Sequence, residues 1–311
     1  MADIWTIQSA LEWTQGYLER KGDANPRLSA QWLLSEATGL SRIDLYVNFE
    51  RPLDPDERQA LHGFVERRGN GEPLQYITGE VGFRHIVLKV RPGVLIPRPE
   101  TEVLVSVALA QLPPTKLQVP VQVADLCTGS GAIACSIAYE YPTAQVVATD
   151  IAPECAALAR ENAAALGLDG RITVLECDLG AAVPVGLMGS FDLVVSNPPY
   201  VPSGLLPGLP DEVAGFEPHL ALDGGPDGLG VFRLILPWAL RALAPGGAAA
   251  FELHEDALDD AAQAAEAAGF TQTKVVADLA GRSRVLVAKA PGGSGASIAL
   301  SESPLPSDDA V

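Results

Sequence analysis

The residues Ser196-Asn197-Pro198-Pro199-Tyr200 close an apolar run, Phe191 to Val195, that reads as a buried strand. A polar amide, a rigid backbone and an aromatic ring therefore arrive together where a strand ends. A plain terminator would need only the prolines. The Asn197 side-chain oxygen and the Pro198 carbonyl are acceptors that could hold both N–H bonds of one planar group. Proline aims its carbonyl before any ligand binds, which avoids reorganisation during a reaction. Tyr200 adds a flat face for stacking. Asn197, Pro198 and Tyr200 are therefore the catalytic candidates, with a proline-rich strand terminator as the alternative reading.

A second cluster is Asp125-Leu-Cys127-Thr128-Gly129-Ser130-Gly131, directly after a predicted strand and opening a predicted helix. Glycines there permit a tight turn and close approach of a ligand, and the helix start offers free N–H groups. Asp150 ends the next strand, 19 residues after Gly131. A carboxylate at that place can accept from both hydroxyls of a ribose. The combination predicts an adenosine-containing ligand and leaves open a nicotinamide dinucleotide or S-adenosylmethionine. Asp178-Leu179, after the third strand, could receive an adenine ring, or be a solvated turn. In Leu95-Ile-Pro-Arg98-Pro99-Glu100-Thr101-Glu102, Thr101-Glu102 could cap a helix or wall the ligand. His219 is a tempting base, though a loop histidine is more often packed or solvated. Arg282 and Arg284 read as surface residues.

These residues need a frame. Strands are predicted at 121–126, 145–150, 172–176, 191–196, 248–253 and 285–289, and helices at 101–111, 131–140, 153–167, 229–244 and 256–268. Such alternation means a mainly parallel sheet with helices on both faces, and ligands bind beyond the strands' C-terminal ends. Strands one and four of that sheet should be neighbours at the switch point, so the glycine loop faces Asn197. Residues 1–73 read as a helical domain: a helix over 6–20, one from Asn25-Pro26 to Gly39 with Asn25 as cap, a capping box at Ser41/Asp44, and a stronger one at Asp54/Glu57. Trp5, Trp13, Trp32, Leu33 and Leu34 are its expected core. Residues 74–95 read as a β-hairpin linker, 96–290 as the α/β domain and 291–311 as a disordered tail.

The chain as a whole narrows the function classes. Its net charge is −18, and residues 96–311 carry −16 of it. Bulk charge of that sign argues against direct nucleic-acid binding. No apolar run reaches the ~18 residues of a membrane span, and the start lacks the order of a signal peptide, so a soluble cytoplasmic protein is expected. The four cysteines form no C-x-x-C pair and are expected to be free thiols; with four scattered histidines, no metal site is expected.

PLQYITGE (73–80), LIPRPETE (95–102), DLCTGSGAIA (125–134), SNPPY (196–200), FEPHLAL (216–222) and LAGRSRVLVAK (279–289) together resemble the HemK/PrmC-type release factor glutamine methyltransferases. The likeness runs in order from about residue 5 to 290. It implies a Rossmann-like S-adenosylmethionine-dependent methyltransferase domain, preceded by a small all-helical domain that docks a protein. It implies cofactor contacts from Cys127, Thr128, Gly129, Ser130, Gly131, Asp150, Asp178, Leu179 and Asn197. It implies substrate contacts from Asn197, Pro198, Pro199 and Tyr200. The implied substrate is the glutamine of the Gly-Gly-Gln motif in class 1 peptide chain release factors. Glutamine on a ribosomal protein and the adenine or guanine amino-methyltransferases are the alternatives within the class. A nicotinamide-dependent oxidoreductase would leave NPPY without a role, and a non-enzymatic binding module would not need both Asn197 and Tyr200. Two departures stand out: Cys127 replaces a common glycine, and Leu179 replaces an aromatic residue found in some members.

Overall fold

Start signals are local, and in the helical region nearly all of them work. The computed structural model describes residues 5–114, 118–278 and 280–292. The expected tail lies outside the described residues from 293 onward. The helical region holds α1 (Ile7–Arg20), α2 (Pro26–Thr38), α3 (Arg42–Val47) and α4 (Pro55–Gly69). Asp54 accepts from Glu57 N at 2.8 Å while Glu57 accepts from Asp54 N at 2.9 Å, the reciprocal box expected. Ser41 likewise accepts from Asp44 N at 3.1 Å. Asn25 makes no side-chain cap bond. Asp23 does the local work instead, accepting from Asn25 N at 2.7 Å and from Ser29 Oγ at 2.8 Å.

Ile7, Ala10, Leu18, Leu33, Leu34, Leu45, Leu61 and Val65 form the core of this region. Trp13 and Trp32, expected there, are 42% and 37% exposed. Each successive helical residue turns about 100°. Trp32 therefore leaves the interior to Leu33 and Leu34, and Trp13 sits beside the inward stripe of Ile7, Ala10, Thr14 and Leu18. Trp13 stacks on Tyr17 at 5.4 Å, and Trp32 carries the Arg42 guanidinium 5.2 Å above its ring. Residues 74–78, read as hairpin, instead form a short helix, α5 (Leu74–Thr78). Pairing is confined to β1 (Glu80–Phe83) and β2 (Ile86–Lys89).

Two compact units result. One gathers the helices to Val81 with Val87–Ile96 and Pro207–Pro218; the other gathers Gly82–Ile86, Pro97–Leu206 and the chain from His219. Within the first, the later segment contributes α9 (Asp211–Ala214), and Phe216 packs on Tyr76, Val90 and Ile96. No contiguous boundary read from sequence includes that excursion.

The second unit is built on α6 (Thr101–Leu109), β3 (Val121–Leu126), α7 (Ala132–Glu140), β4 (Ala144–Asp150), α8 (Pro153–Ala165), β5 (Ile172–Glu176), β6 (Phe191–Ser196), α10 (Gly230–Ala242), β7 (Leu243–Glu252), α11 (Leu258–Ala268), β8 (Thr271–Ala277) and β9 (Ser283–Lys289). The strand order is β5-β4-β3-β6-β7-β9-β8. Pairs from β5 to β7 are parallel, and β9 runs antiparallel to both of its neighbours, β7 and β8. β3 and β6 are neighbours, as expected, so the chain reverses its winding between them. Right-handed crossovers then put α7 and α8 on one face and α10 on the other. Ala124, Leu126, Val147, Val194, Phe251 and Leu286 form one core with Phe232 and Trp238 of α10. The edge strand β8 was not expected from sequence; its residues are exposed or half-buried and lack a continuous apolar run. Arg84 at the hairpin tip fixes the start of this unit. It donates to Glu140 at 2.5 and 2.7 Å, to Ser106 Oγ at 2.6 Å and to the Glu102 carbonyl at 2.8 Å.

In the helical unit Arg68 is the tie between distant segments. Its guanidinium lies 2.6 Å from Asp23, 2.7 Å from Glu212 and 2.8 Å from the Glu72 carbonyl. The Asp23 side chain is only 3% exposed, so removing its partner leaves a buried charge unpaired. Arg68→Met should cost about 3 kcal/mol, and adding Asp23→Asn should recover part of it. Urea unfolding of the two variants checks both statements.

Candidate active site

The glycine loop begins where β3 runs out of ladder partners. Cys127, Gly129 and Gly131 all adopt the left-handed conformation, at φ 60°, 56° and 82°. For a cysteine that costs about 1–2 kcal/mol, the physical meaning of a non-glycine residue here. At Gly131 an added Cβ would lie 3.1 Å from the Ala159 Cβ, so the start of α7 is pressed onto α8. At Gly129 an added Cβ would meet nothing within 4 Å, which leaves open space beside the loop. The loop is braced from below. Fully buried Asp125 accepts from Thr128 Oγ1 at 2.6 Å and from Ala134 N at 3.1 Å. The Ser130 carbonyl accepts from Asn162 Nδ2 at 2.9 Å.

Asp150 stands at the end of β4, half-buried, and each oxygen takes one backbone N–H: Gly129 at 2.8 Å and Ala152 at 3.0 Å. The Cys155 thiol and the Ile151 N–H also bond to this carboxylate. Desolvation raises its carboxyl above the ordinary range, and those backbone bonds oppose the rise. The Cys127 thiol is pushed up to about 12, chiefly by burial and then by Asp150. It stays protonated at neutral pH and is no nucleophile.

The next strand end is held as firmly. Cys177 N donates to the Asp150 carbonyl at 2.8 Å, which carries the chain into an exposed Asp178 and a half-buried Leu179 at φ 45°. Behind them Trp238 Nε1 donates to the Gly180 carbonyl at 3.2 Å. A Cβ on Gly180 would fall 2.0 Å from that indole, so only glycine lets the turn close.

At the end of β6, Ser196 Oγ donates to the Leu126 carbonyl at 2.7 Å and ties this strand end to the glycine loop. Asn197 Nδ2 donates to Thr101 Oγ1 at 3.1 Å. Pro198 is buried; Pro199 and Tyr200 are half-buried. The Tyr200 hydroxyl donates to Glu252 Oε1 at 3.2 Å. Burial, then the Glu252 charge, holds that phenol above its ordinary range, so it remains protonated. The segment 222–230 clamps the loop from outside. Val201 N donates to the Leu222 carbonyl and Gly224 N to the Val201 carbonyl, both at 2.9 Å. A Cβ on Gly228 would lie 2.4 Å from the Tyr200 carbonyl, and one on Gly224 would lie 2.7 Å from the Tyr200 Cα.

Several residues take places that sequence reasoning did not assign. Thr101 does not cap α6; it is buried, and its hydroxyl joins Asn197 to Glu252. Glu252, fully buried at the end of β7, was missed, although a lone acid closing an apolar strand was a usable signal. Arg284, read as surface, is largely enclosed, 3.7 Å from Asp278 and close enough to Glu252 and Tyr200 to act on both charges. Arg282 is indeed exposed. His219 is exposed near Asp223, away from these bonds.

The Asp125 carboxyl is raised to about 7, first by desolvation, against its two accepted bonds. Its folded value lies above its unfolded one, so the proton is held more tightly in the native state. The group's contribution to stability is full below about pH 4, falls as pH rises, and is lost above about pH 7. Asp125→Asn should flatten that decline. Urea midpoints of both proteins between pH 4 and 8 measure it.

Residues 9–79 match the family model described as PrmC N-terminal domain, and residues 101–204 match Methyltransferase small domain. A release factor glutamine methyltransferase of Geobacter sulfurreducens is 48% identical over 245 residues, covering 79% of this chain and 83% of that protein. Those of Moorella thermoacetica and Caulobacter vibrioides are 43% and 38% identical, each over 91% of this chain and 98% and 96% of their own lengths. Among solved structures, the hMettl16 catalytic domain aligns with a TM-score of 0.53 at 15% identity, covering 79% of this chain and 86% of that one, a likeness of fold. Identity at this level across both units, together with a methyltransferase sheet that carries NPPY beside its glycine loop, places the chain in the family of release factor glutamine methyltransferases.

Proposed function

We propose that this protein transfers a methyl group from S-adenosylmethionine to the side-chain amide nitrogen of a release factor glutamine, that of the Gly-Gly-Gln motif in class 1 factors. The observation that carries the reading is the committed orientation of Asn197. Its amide nitrogen is engaged by Thr101, so its Oδ1 is the end left to accept from a substrate. The residues fit the cofactor as well. Open space borders Gly129, the start of α7 supplies backbone N–H groups, and Asp150 ends β4, the place where a carboxylate can accept from ribose hydroxyls. In this reading Cys127, Thr128, Gly129, Ser130 and Gly131 cradle the ligand, with Asp178 and Leu179 at the adenine end and Asn197 at the methyl end.

When bound, S-adenosylmethionine supplies an electrophilic methyl group on a positive sulfonium. The rest is the work of this chain. A glutamine nitrogen is a poor nucleophile, because resonance ties its lone pair into the planar amide. Asn197 Oδ1 and the Pro198 carbonyl accept its two N–H bonds, turn the nitrogen toward the methyl group and favour the positive charge that grows on it. Tyr200, its hydroxyl held by Glu252, offers a fixed ring face against the flat amide. The N–CH3 bond forms as the S–CH3 bond breaks. The nitrogen, made acidic by its growing positive charge, then loses one proton to water, so positioning and these acceptors suffice without a strong base.

The helical unit is the proposed docking element for the factor. It presents a cleft bounded by Leu28, Trp32, Ile43 and Tyr46 and edged by Arg27 and Arg42. Ile43 is 77% exposed, more than folding of the unit requires. In this reading the protein works with translation in the cytoplasm, and its partner is a protein rather than a nucleic acid or a membrane.

Asn197→Ala should lower single-turnover methylation of a purified release factor by about a hundredfold, with far less effect on cofactor affinity. Turnover near the wild-type rate would show NPPY to be only a turn. Asp150→Ala should weaken S-adenosylmethionine binding by about 1–3 kcal/mol in calorimetry, and tight NADH binding in its place would refute the assignment. Ile43→Asp should raise KM for intact factor about tenfold while sparing cofactor binding, since it sets a charge in the docking cleft.

A further inference from the structure

Glu252 is a buried acid whose role neither the motif nor the cofactor site explains. It closes β7, and the register sets Phe251 beside Ser196, so Glu252 sits next to the NPPY turn. Its carboxylate accepts the Tyr200 hydroxyl at 3.2 Å and also bonds the Thr101 hydroxyl. A hydroxyl has one proton and two lone pairs. With the Thr101 proton directed to the carboxylate, only lone pairs remain for its other neighbour. That neighbour can then present only a donor, and Asn197 does so through Nδ2 at 3.1 Å.

We propose that Glu252, acting through the Thr101 hydroxyl, is the positioning residue that fixes which way the Asn197 amide faces and, through its second bond, holds the Tyr200 ring. The inference rests on the reading of Asn197 as acceptor for the substrate amide. It requires the Glu252 oxygen that faces Thr101 to act as an acceptor; a donor at this place would reverse the relay and flip the amide. Burial is the largest influence on Glu252 and raises its carboxyl; Arg284 from β9 favours ionisation, and Glu100 beside Thr101 opposes it. Arg98 and Arg284 also bear on Tyr200, and Asp278 on Arg284. Glu252 Oε2 has no hydrogen-bond partner among the described residues, so core packing alone gives no reason to keep an acid here.

The test is a set of variants in single-turnover methylation of purified release factor at saturating S-adenosylmethionine. Thr101→Val removes the relay hydroxyl at nearly constant shape and should lower the rate about tenfold, with KM for the factor and cofactor affinity nearly unchanged. Thr101→Ser should restore the rate, and Glu252→Gln, which can donate, should be at least as slow as Thr101→Val. In an Asn197→Ala background Thr101→Val should cost nothing further, an outcome that a merely structural role would not produce. If Glu252→Gln does not fold, the Thr101 series decides alone. The relay is overturned if Thr101→Val turns over within about twofold of wild type, or loses the same factor with and without Asn197. Near-normal turnover by Asn197→Ala itself would instead remove the acceptor reading on which the relay stands.

Discussion

The parallel pairing of β3 with β6 is the constraint from which the rest of the site follows. Asp125 stands beside Val195 and Leu126 beside Ser196, so two strand ends that are 70 residues apart in sequence finish level. The Ser196 hydroxyl closes the seam by donating to the Leu126 carbonyl. Beyond that seam each chain must leave the sheet at once, one through the glycine loop and the other through NPPY. The reversal of winding at this pair sends their following segments to opposite faces, and the crevice between them is the place where a ligand can lie.

Rigid exits from the sheet come at a conformational cost. Cys127 and Leu179 hold left-handed backbones that most side chains avoid, and both lie at strand ends that face the crevice. Each is held by contacts too specific to give way. The carbonyl of Gly180 is bonded to the Trp238 indole, and the Gly129 N–H to Asp150. The outer side of NPPY is closed by backbone rather than side chains, which is why Gly224 and Gly228 tolerate no Cβ. A scaffold of this kind sets atoms in advance, and a reaction that relies on acceptors and alignment needs little more.

Buried acids recur here for a related reason. Asp125 and Glu252 each hold one oxygen without a partner among the described residues, a feature that packing would otherwise select against. Each uses its other bonds to steer a neighbouring loop: Asp125 the turn through Thr128 and Ala134, Glu252 the turn through Thr101 and Tyr200. Both carboxyls are raised by desolvation, and both lie under the strand ends that carry the chemistry.

The alternation of apolar strands with capped helices was legible from residue types alone, because burial on both faces of a sheet leaves an apolar run that no loop shares. The same holds for the glycine loop, Asp150 and NPPY, whose residue types are unusual for their places, and for the neighbouring of β3 and β6, which the order of elements implies. The caps of α3 and α4 were likewise written locally. Trp13 and Trp32 were misplaced because hydrophobicity says that a side chain can be buried, while the turn of the helix decides whether it is. Short-range pattern could not reveal β8, which is an edge strand, or the return of 207–218 to the helical unit, which is a contact over more than a hundred residues. Thr101 looked like part of a helix start and Arg284 like surface. Their actual places beside Asn197 and Glu252 depend on α6, β6, β7 and β9 meeting at one point, and only tertiary packing sets that meeting.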